Sequence, residues 1–422
     1  MYYCLQDSCK LVKGNTRAAI YDFKTGKVYS INMDAANLLT ACCDHAIQDL
    51  WDINSPDTAH YMDFLNKLSG KNLGGYQTTK PNVTLEELPP KSSNKLDFIW
   101  LELTSACNSK CLHCYAECGP SSSTPDQVPH ERWLSLIDEG KQAGATAIQL
   151  IGGEPLLYPA WRELIIKAHQ LGYAYIEIFT NATLIDDDCI DFFKQYHVNI
   201  ATTIYADNAE IHDKITLQPN SFTKTMAAIQ KMRSADIPLR IASIIMKANE
   251  CEVSNIMKLY KNFGMEGVYP DIIRPTGRGN DEDLLPVHYS KPLIKPPFYT
   301  DEYSFFDAHN YHSCLAGKIA ITTTGDAIPC IFARNQICGN ILKNSLAEIL
   351  SKQPLTTCWQ TTKDHVTKCK DCEYRYACSD CRPLAQSIDS QKSWLADPQN
   401  CAYNPYTGKW QNSLNPNESK GG

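Results

Sequence analysis

The sequence predicts an α/β protein: a partial (β/α)6 barrel between a small N-terminal α+β unit and a C-terminal region that metal has to organise. Three observations carry the prediction. From residue 96 to residue 273, short apolar runs alternate with helical patterns of about 10–15 residues, the mark of repeated βα units and a parallel sheet. Six such units use less chain than the roughly 250 residues of a closed eight-unit TIM-type barrel, so one side is expected to stay open to a large substrate. The chain also carries 19 cysteines without the short, secreted layout of a disulfide scaffold.

The N-terminal unit reads from local signals. Arg17–Asp22 and Lys27–Ile31 are rich in β-formers and flank a Thr25-Gly26 turn. Asn32 can cap a helix that places Ala35, Leu38 and Leu39 on one face. A second amphipathic stretch, Thr58–Leu68, stops at Ser69-Gly70, and Leu88-Pro-Pro-Lys-Ser-Ser-Asn94 is a linker by composition. In the barrel, strands are expected at Leu96–Leu103, Ala147–Ile151, Ala174–Phe179, Asn199–Tyr205, Leu239–Met246 and Val268–Ile273. Helices are expected at Glu131–Ala143, Trp161–Leu171, Asp186–Tyr196, Phe222–Ser234 and Val253–Phe263, three of them stopped by Gly144, Gly172 and Gly264. Beyond residue 290, prolines and cysteines replace apolar periodicity, and metal is expected to stand in for a core. The expected domains are therefore 1–90, 95–290 and 291–422.

Composition narrows the function. With 422 residues, 43% hydrophobic, 21% charged and a net charge of -7, the chain reads as an ordinary globular protein. It lacks the basic stripe that nucleic acid requires, any apolar run approaching a membrane span, and a signal-peptide layout. A cytoplasmic protein with no nucleic-acid or membrane partner is expected. In that reducing compartment Cys4, Cys9, Cys42, Cys43, Cys118, Cys189, Cys251 and Cys358 read as small buried apolar residues. The remaining eleven, apart from Cys338, fall into spacing patterns.

The first pattern is Cys107-Asn-Ser-Lys-Cys111-Leu-His-Cys114, directly after the first barrel strand and on the face where barrel enzymes place their chemistry. Three thiolates can hold three irons of a cubane and leave the fourth open to a small molecule. A four-cysteine zinc site would have to recruit Cys118 from a Gly-Pro-Ser-rich loop. One strand-and-helix unit later comes Gly152-Gly-Glu-Pro155, where glycines allow close backbone approach and carbonyls with Glu154 can accept hydrogen bonds from an ammonium.

Together these motifs resemble the radical S-adenosylmethionine enzymes. The resemblance covers residues 96–401 and implies a [4Fe–4S] cluster on Cys107, Cys111 and Cys114, with S-adenosylmethionine held by Gly152, Gly153, Glu154 and Pro155. Thr180-Asn-Ala-Thr183 matches the family's Thr-Asn-Gly segment with Ala182 replacing Gly, and Thr203-Ile-Tyr-Ala206 lies where the family supplies a hydroxyl; Asn181 and Thr203 are the further cofactor contacts implied. A strand-end cap or a satisfied core hydroxyl is the plain alternative for each. Arg274-Pro-Thr-Gly-Arg278-Gly closes the last barrel strand as in the family, although Arg274 could equally form an ion pair.

Cys314, Cys330, Cys369-x₂-Cys372-x₅-Cys378-x₂-Cys381 and Cys401 resemble the family's SPASM extension, with two residues instead of three inside the last pair. Carried over, Cys369, Cys372, Cys378 and Cys401 hold a distal auxiliary cluster, and Cys314, Cys330 and Cys381 a nearer one, for three [4Fe–4S] clusters in all. The nearer cluster is then one ligand short, to be completed by Cys338, His309 or His312, or left open for a substrate cysteine. A zinc site on the two C-x₂-C pairs is the alternative, and it leaves Cys314, Cys330 and Cys401 without a role.

The N-terminal hairpin with short helices resembles the winged-helix-like element that recognises leader peptides. The whole chain therefore resembles maturases of ribosomally made peptides. Such an enzyme generates a 5′-deoxyadenosyl radical, abstracts hydrogen from a precursor peptide whose leader residues 1–90 would bind, and installs a thioether or carbon–carbon crosslink. An external electron donor such as flavodoxin or ferredoxin is implied. A sulfatase-maturing enzyme shares the architecture but carries an Asp where this chain has Ile331. A non-catalytic iron–sulfur or zinc-stabilised binding protein would leave Gly152–Pro155 without a purpose. His113, Tyr115 and Tyr205 are either site residues or packing, and no general base is assigned.

Overall fold

The protein is described from a computed structural model, which covers residues 1–51, 56–81, 88, 95–121 and 126–411. The N-terminal strands are β1 (Tyr2–Leu5), β2 (Cys9–Lys13), β3 (Arg17–Asp22), β4 (Val28–Asn32) and β5 (Gly74–Gln77). β2, β3 and β4 form an antiparallel sheet, and β1 pairs with β5. Asn32 caps the helix Met33–Asp44, its side-chain oxygen accepting from the Ala35 amide. Ala36, Leu39, Cys42 and Cys43 of that helix pack with Leu65 and Leu68 of the helix Pro56–Gly70 in a core of the unit's own. Of the linker Leu88–Asn94, all but Leu88 lies outside the described residues.

The central sheet begins with five parallel strands: β6 (Phe98–Glu102), β7 (Ala147–Ile151), β8 (Tyr175–Phe179), β9 (Asn199–Thr203) and β10 (Leu239–Ala242). Strand alternation explains its two faces. Ile99, Leu101, Ile148, Leu150, Ile176 and Ile178 point outward and pack on the helices His130–Gln142 and Trp161–Gln170. Between them Trp100, Gln149 and Glu177 stand at one level and point inward.

Two features differ from the sequence expectation. The strand expected at Leu239–Met246 breaks at Ser243: β10 stays with β9, whereas β11 (Ile244–Ile245) pairs in parallel with β12 (Asp271–Ile272) as a separate ribbon. The Ser243 carbonyl accepts the Asp271 amide, which turns the chain from one sheet to the other. The C-terminal region also does share a core. β13 (Lys318–Ile321) adds in parallel beside β6, followed by β14 (Asp326–Ile328) and β15 (Gly339–Asn340), so the full order is β10-β9-β8-β7-β6-β13-β14-β15. Ile319 and Ile321 are fully buried in the barrel's own hydrophobic cluster. The N-terminal sheet docks on this region through the Tyr21 hydroxyl, which donates to the Glu373 carbonyl at 2.8 Å, and through Arg375, which donates to the Lys13 carbonyl at 2.9 Å. Among the described residues no helix is long and apolar enough to cross a membrane.

Candidate active site and cysteine clusters

The loop after β6 is fixed from three sides. At its start, Thr104 Oγ1 and the Ser105 amide both donate to Asp126, at 2.6 and 2.8 Å. From β7, the Gly153 and Glu154 amides donate to the carbonyls of Thr104 and Ala106. A Cβ on Gly153 would stand 2.2 Å from the Ala106 oxygen, and one on Gly152, whose φ is +150°, 2.7 Å from the Thr104 oxygen. Only glycine lets the two backbones come this close. On the far side Arg278 donates to the carbonyls of Cys111 and Cys118 at 2.9 and 2.8 Å, and its own amide donates to the Cys114 carbonyl.

This frame gathers the thiols of Cys107, Cys111 and Cys114. Burial pushes Cys107 and Cys111 up to about 12, and each is raised further by the charge of its neighbours. Cys114 goes the other way, to about 6, chiefly through a hydrogen bond with Cys118 beside it. Three thiolates gathered this closely repel one another unless a cation lies between them, so the donor set fits a metal cluster.

A cavity of about 420 Å³ opens above these thiols. Gly152, Gly153, Asn181, Thr203 and Tyr205 form its walls, with Trp100, Gln149 and Arg240 among the other lining residues. Gln149 donates to Glu177, which pairs with Arg240 at 2.8 Å, giving the barrel interior a polar layer. The expected cofactor residues divide into two groups. Gly152, Gly153, Asn181 and Thr203 line the cavity. Glu154 is fully buried, and its carboxylate accepts from Thr180 Oγ1 at 2.7 Å and from the amides of Asn181 and Leu156. Burial nevertheless pushes it up to about 7. Pro155, also buried, starts the turn that follows. Glu154 thereby holds the Asn181 loop against the glycines. His113 is half-buried, with its Nε2 3.2 Å from the Tyr205 hydroxyl; loss of water around its ring holds it down to about 4, so it stays neutral.

The C-terminal cysteines separate into two groups. Cys314, Cys330 and Cys381 influence one another electrostatically and lie near Arg274. Ile331 and Phe332, which follow Cys330, line the cavity, and the Arg274 guanidinium sits 4.7 Å over the Phe332 ring. Arg274 also pairs with Asp271 at 2.6 Å, the ion pair given as its alternative role. Cys369, Cys372, Cys378 and Cys401 line a separate void with Lys363, Phe298 and Tyr374.

The side chains considered as a fourth ligand for the first group are engaged elsewhere. Cys338 interacts with Cys358. His312 Nδ1 accepts from the amides of Cys314 and Leu315, and its ring lies beside Asp380. His309 packs edge-on against Tyr376. The sequence reading missed Asp126, Phe332, Lys363 and Asp380 and gave Arg278 no task. Each acts across a long sequence separation with no motif to mark it.

Comparison with known proteins agrees with this arrangement. The Radical SAM superfamily matches residues 101–260, and the SPASM iron–sulfur cluster-binding domain matches residues 314–373. An AdoMet-dependent heme synthase of Methanosarcina barkeri is 26% identical over 72% of this chain and 95% of its own length. The antilisterial bacteriocin subtilosin biosynthesis protein AlbA of Bacillus subtilis is 23% identical over 80% of each chain. The crystal structure of Streptococcus suis SuiB superposes with a TM-score of 0.52 over 94% of this chain and 99% of its own, at 14% identity, a likeness of fold. That coverage takes in most of the N-terminal unit as well as the barrel.

Proposed function

The chain is a radical S-adenosylmethionine protein with a SPASM domain, similar to maturases of ribosomally made peptides, and from that premise we propose that it crosslinks a precursor peptide. The observation that carries the reading is one cavity bordered on one wall by three clustered thiols and the Gly152–Gly153 cradle, and on another by the loop of Cys330. Cys107, Cys111 and Cys114 would hold three irons of a [4Fe–4S] cluster, and Gly152, Gly153, Asn181 and Thr203 would hold S-adenosylmethionine. When bound, that pair supplies reductive cleavage of the sulfonium and a 5′-deoxyadenosyl radical that takes hydrogen from the substrate.

The chain's residues orient and exclude. Trp100, Phe332 and Ile331 give the cavity apolar walls, and the neutral His113–Tyr205 pair places no charge beside the thiols. Cys369, Cys372, Cys378 and Cys401 would hold one auxiliary cluster and Cys314, Cys330 and Cys381 another. With Cys338, His309 and His312 engaged elsewhere, the second keeps a position where a substrate thiolate can sit. Bound there, the cluster would supply a place for the sulfur and an acceptor for the one electron released when a thioether forms from the substrate carbon radical; a carbon–carbon bond would be the other product of the same site. Ile331 offers no carboxylate at the position a sulfatase-maturing enzyme would use.

Residues 1–90 would take the leader by strand addition. β4 is paired with β3 on one edge, while on its other edge the described backbone bonds stop at Val28. SuiB, whose fold spans the same units, has been captured with its precursor peptide SuiA. Cytoplasmic flavodoxin or ferredoxin would supply the electron. The likeness to heme synthases supports a second reading, a tetrapyrrole substrate, in which the open β4 edge has no task. The test is anaerobic incubation of reconstituted protein with S-adenosylmethionine, reductant and the short cysteine- or aromatic-rich peptide encoded beside it. A peptide lighter by two hydrogen atoms is expected; an unchanged peptide together with conversion of a haem precursor would favour the second reading.

A further inference from the structure

Lys363 follows the helix Leu355–Gln360 in a polar run, Thr361-Thr362-Lys363-Asp364, where a solvated lysine would be ordinary. Its side chain is instead 7% exposed and lines the void formed by Cys369, Cys372, Cys378 and Cys401. Its Nζ makes no hydrogen bond to the described protein. The nearest counter-charge is the buried Asp380 carboxylate at 3.4 Å, which also pairs with Arg382. On the other side the ammonium faces the thiols of Cys378 and Cys369. Asp380 is thus one carboxylate shared by two buried cations, so it offsets the charge of Lys363 only in part, while the buried Glu373 adds negative charge beside Cys372. An ammonium with three donors is not left desolvated and unsatisfied without a partner. A cubane on four thiolates carries net negative charge that grows on reduction, and nearby charge and hydrogen bonds to sulfur set its potential.

Resting on the auxiliary-cluster reading above, we propose that Lys363 is the charge partner of the cluster held by Cys369, Cys372, Cys378 and Cys401, donating N–H···S hydrogen bonds that make its one-electron reduction easier. Asp380 is the counterweight. Between Cys378 and Cys381 in sequence, it ties Lys363 to His312 beside Cys314 and so sets how much of the ammonium's charge the cluster feels. Lys363 is thus a positioning and tuning residue.

The test is a dithionite titration of the reconstituted full-length protein followed by electron paramagnetic resonance, with iron counted in each sample. Lys363→Met should lower one auxiliary potential by at least tenfold in the reduction equilibrium, 59 mV for one electron. Lys363→Arg should hold it within that margin, and Asp380→Asn should raise it. Full iron with an unmoved potential in Lys363→Met would overturn the inference, as would equal shifts in the Met and Arg variants. Loss of iron from Lys363→Met alone would support a charge requirement; loss from both would show packing and overturn it. Wild-type protein short of auxiliary iron would refute the cluster reading itself, which separates the two failures.

Discussion

At Gly153 the protein has no room for a side chain, because a Cβ there meets the Ala106 carbonyl at 2.2 Å and the Cys107 Cβ at 3.0 Å. Gly153→Ala must push the cysteine loop away from the cavity. Displacement of a reacting geometry by about 1 Å costs on the order of 100-fold in rate. Formation of 5′-deoxyadenosine by this variant should therefore fall by at least about tenfold while iron content is kept. Full activity would show that the close approach is dispensable. The glycine pair was legible in the sequence because its reason is local: the backbones of two adjacent strand ends must touch. Ala182 is the complementary case. It stands where the related enzymes have glycine, and its φ of +63° shows why glycine is usual there. Glu154 was legible as an acceptor, expected to face a cofactor ammonium, but neither its burial nor its protein donors were. Its partners Thr180 and Asn181 lie on the next strand end, and sequence spacing does not say which donor a carboxylate finds.

Among the elements, the helices and barrel strands were readable from apolar periodicity and glycine stops, because each buries one face against a near neighbour. β13 was not. Its four residues, Lys-Ile-Ala-Ile, are too few to show a period, and their partner β6 lies about two hundred residues earlier in the chain. That pairing carries Cys314 and Cys330 to the barrel, and Ile331 and Phe332 of the Cys330 loop line the cavity. Ile319, fully buried between β6 and the surrounding core, anchors the pairing. Ile319→Ala should destabilise the apo-protein by about 3 kcal/mol in urea unfolding, the usual loss for a buried isoleucine truncated to alanine. A change below about 0.5 kcal/mol, typical of surface substitutions, would mean that β13 is not held by the barrel core. The break at Ser243 was likewise hidden. A single small polar residue inside a short β-forming run gives no sign that its two halves pair with different strands.

For the whole molecule, ten cysteines fall into three groups, one beside the cavity, one behind Phe332 and one at the docking face of the N-terminal unit. The spacing motifs anticipated this grouping because cluster ligands come in short runs; the charged pair Lys363 and Asp380 was out of reach because it converges only in three dimensions. On the reading proposed above, the first group would serve radical formation and the other two electron uptake. Radical formation supports all the rest, and it is tested most directly by anaerobic incubation of the iron-reconstituted protein with S-adenosylmethionine and dithionite, with 5′-deoxyadenosine and methionine measured together. The account predicts equal amounts of both products from the wild type and none from Cys111→Ala. Absence of 5′-deoxyadenosine from fully iron-loaded wild-type protein would contradict it.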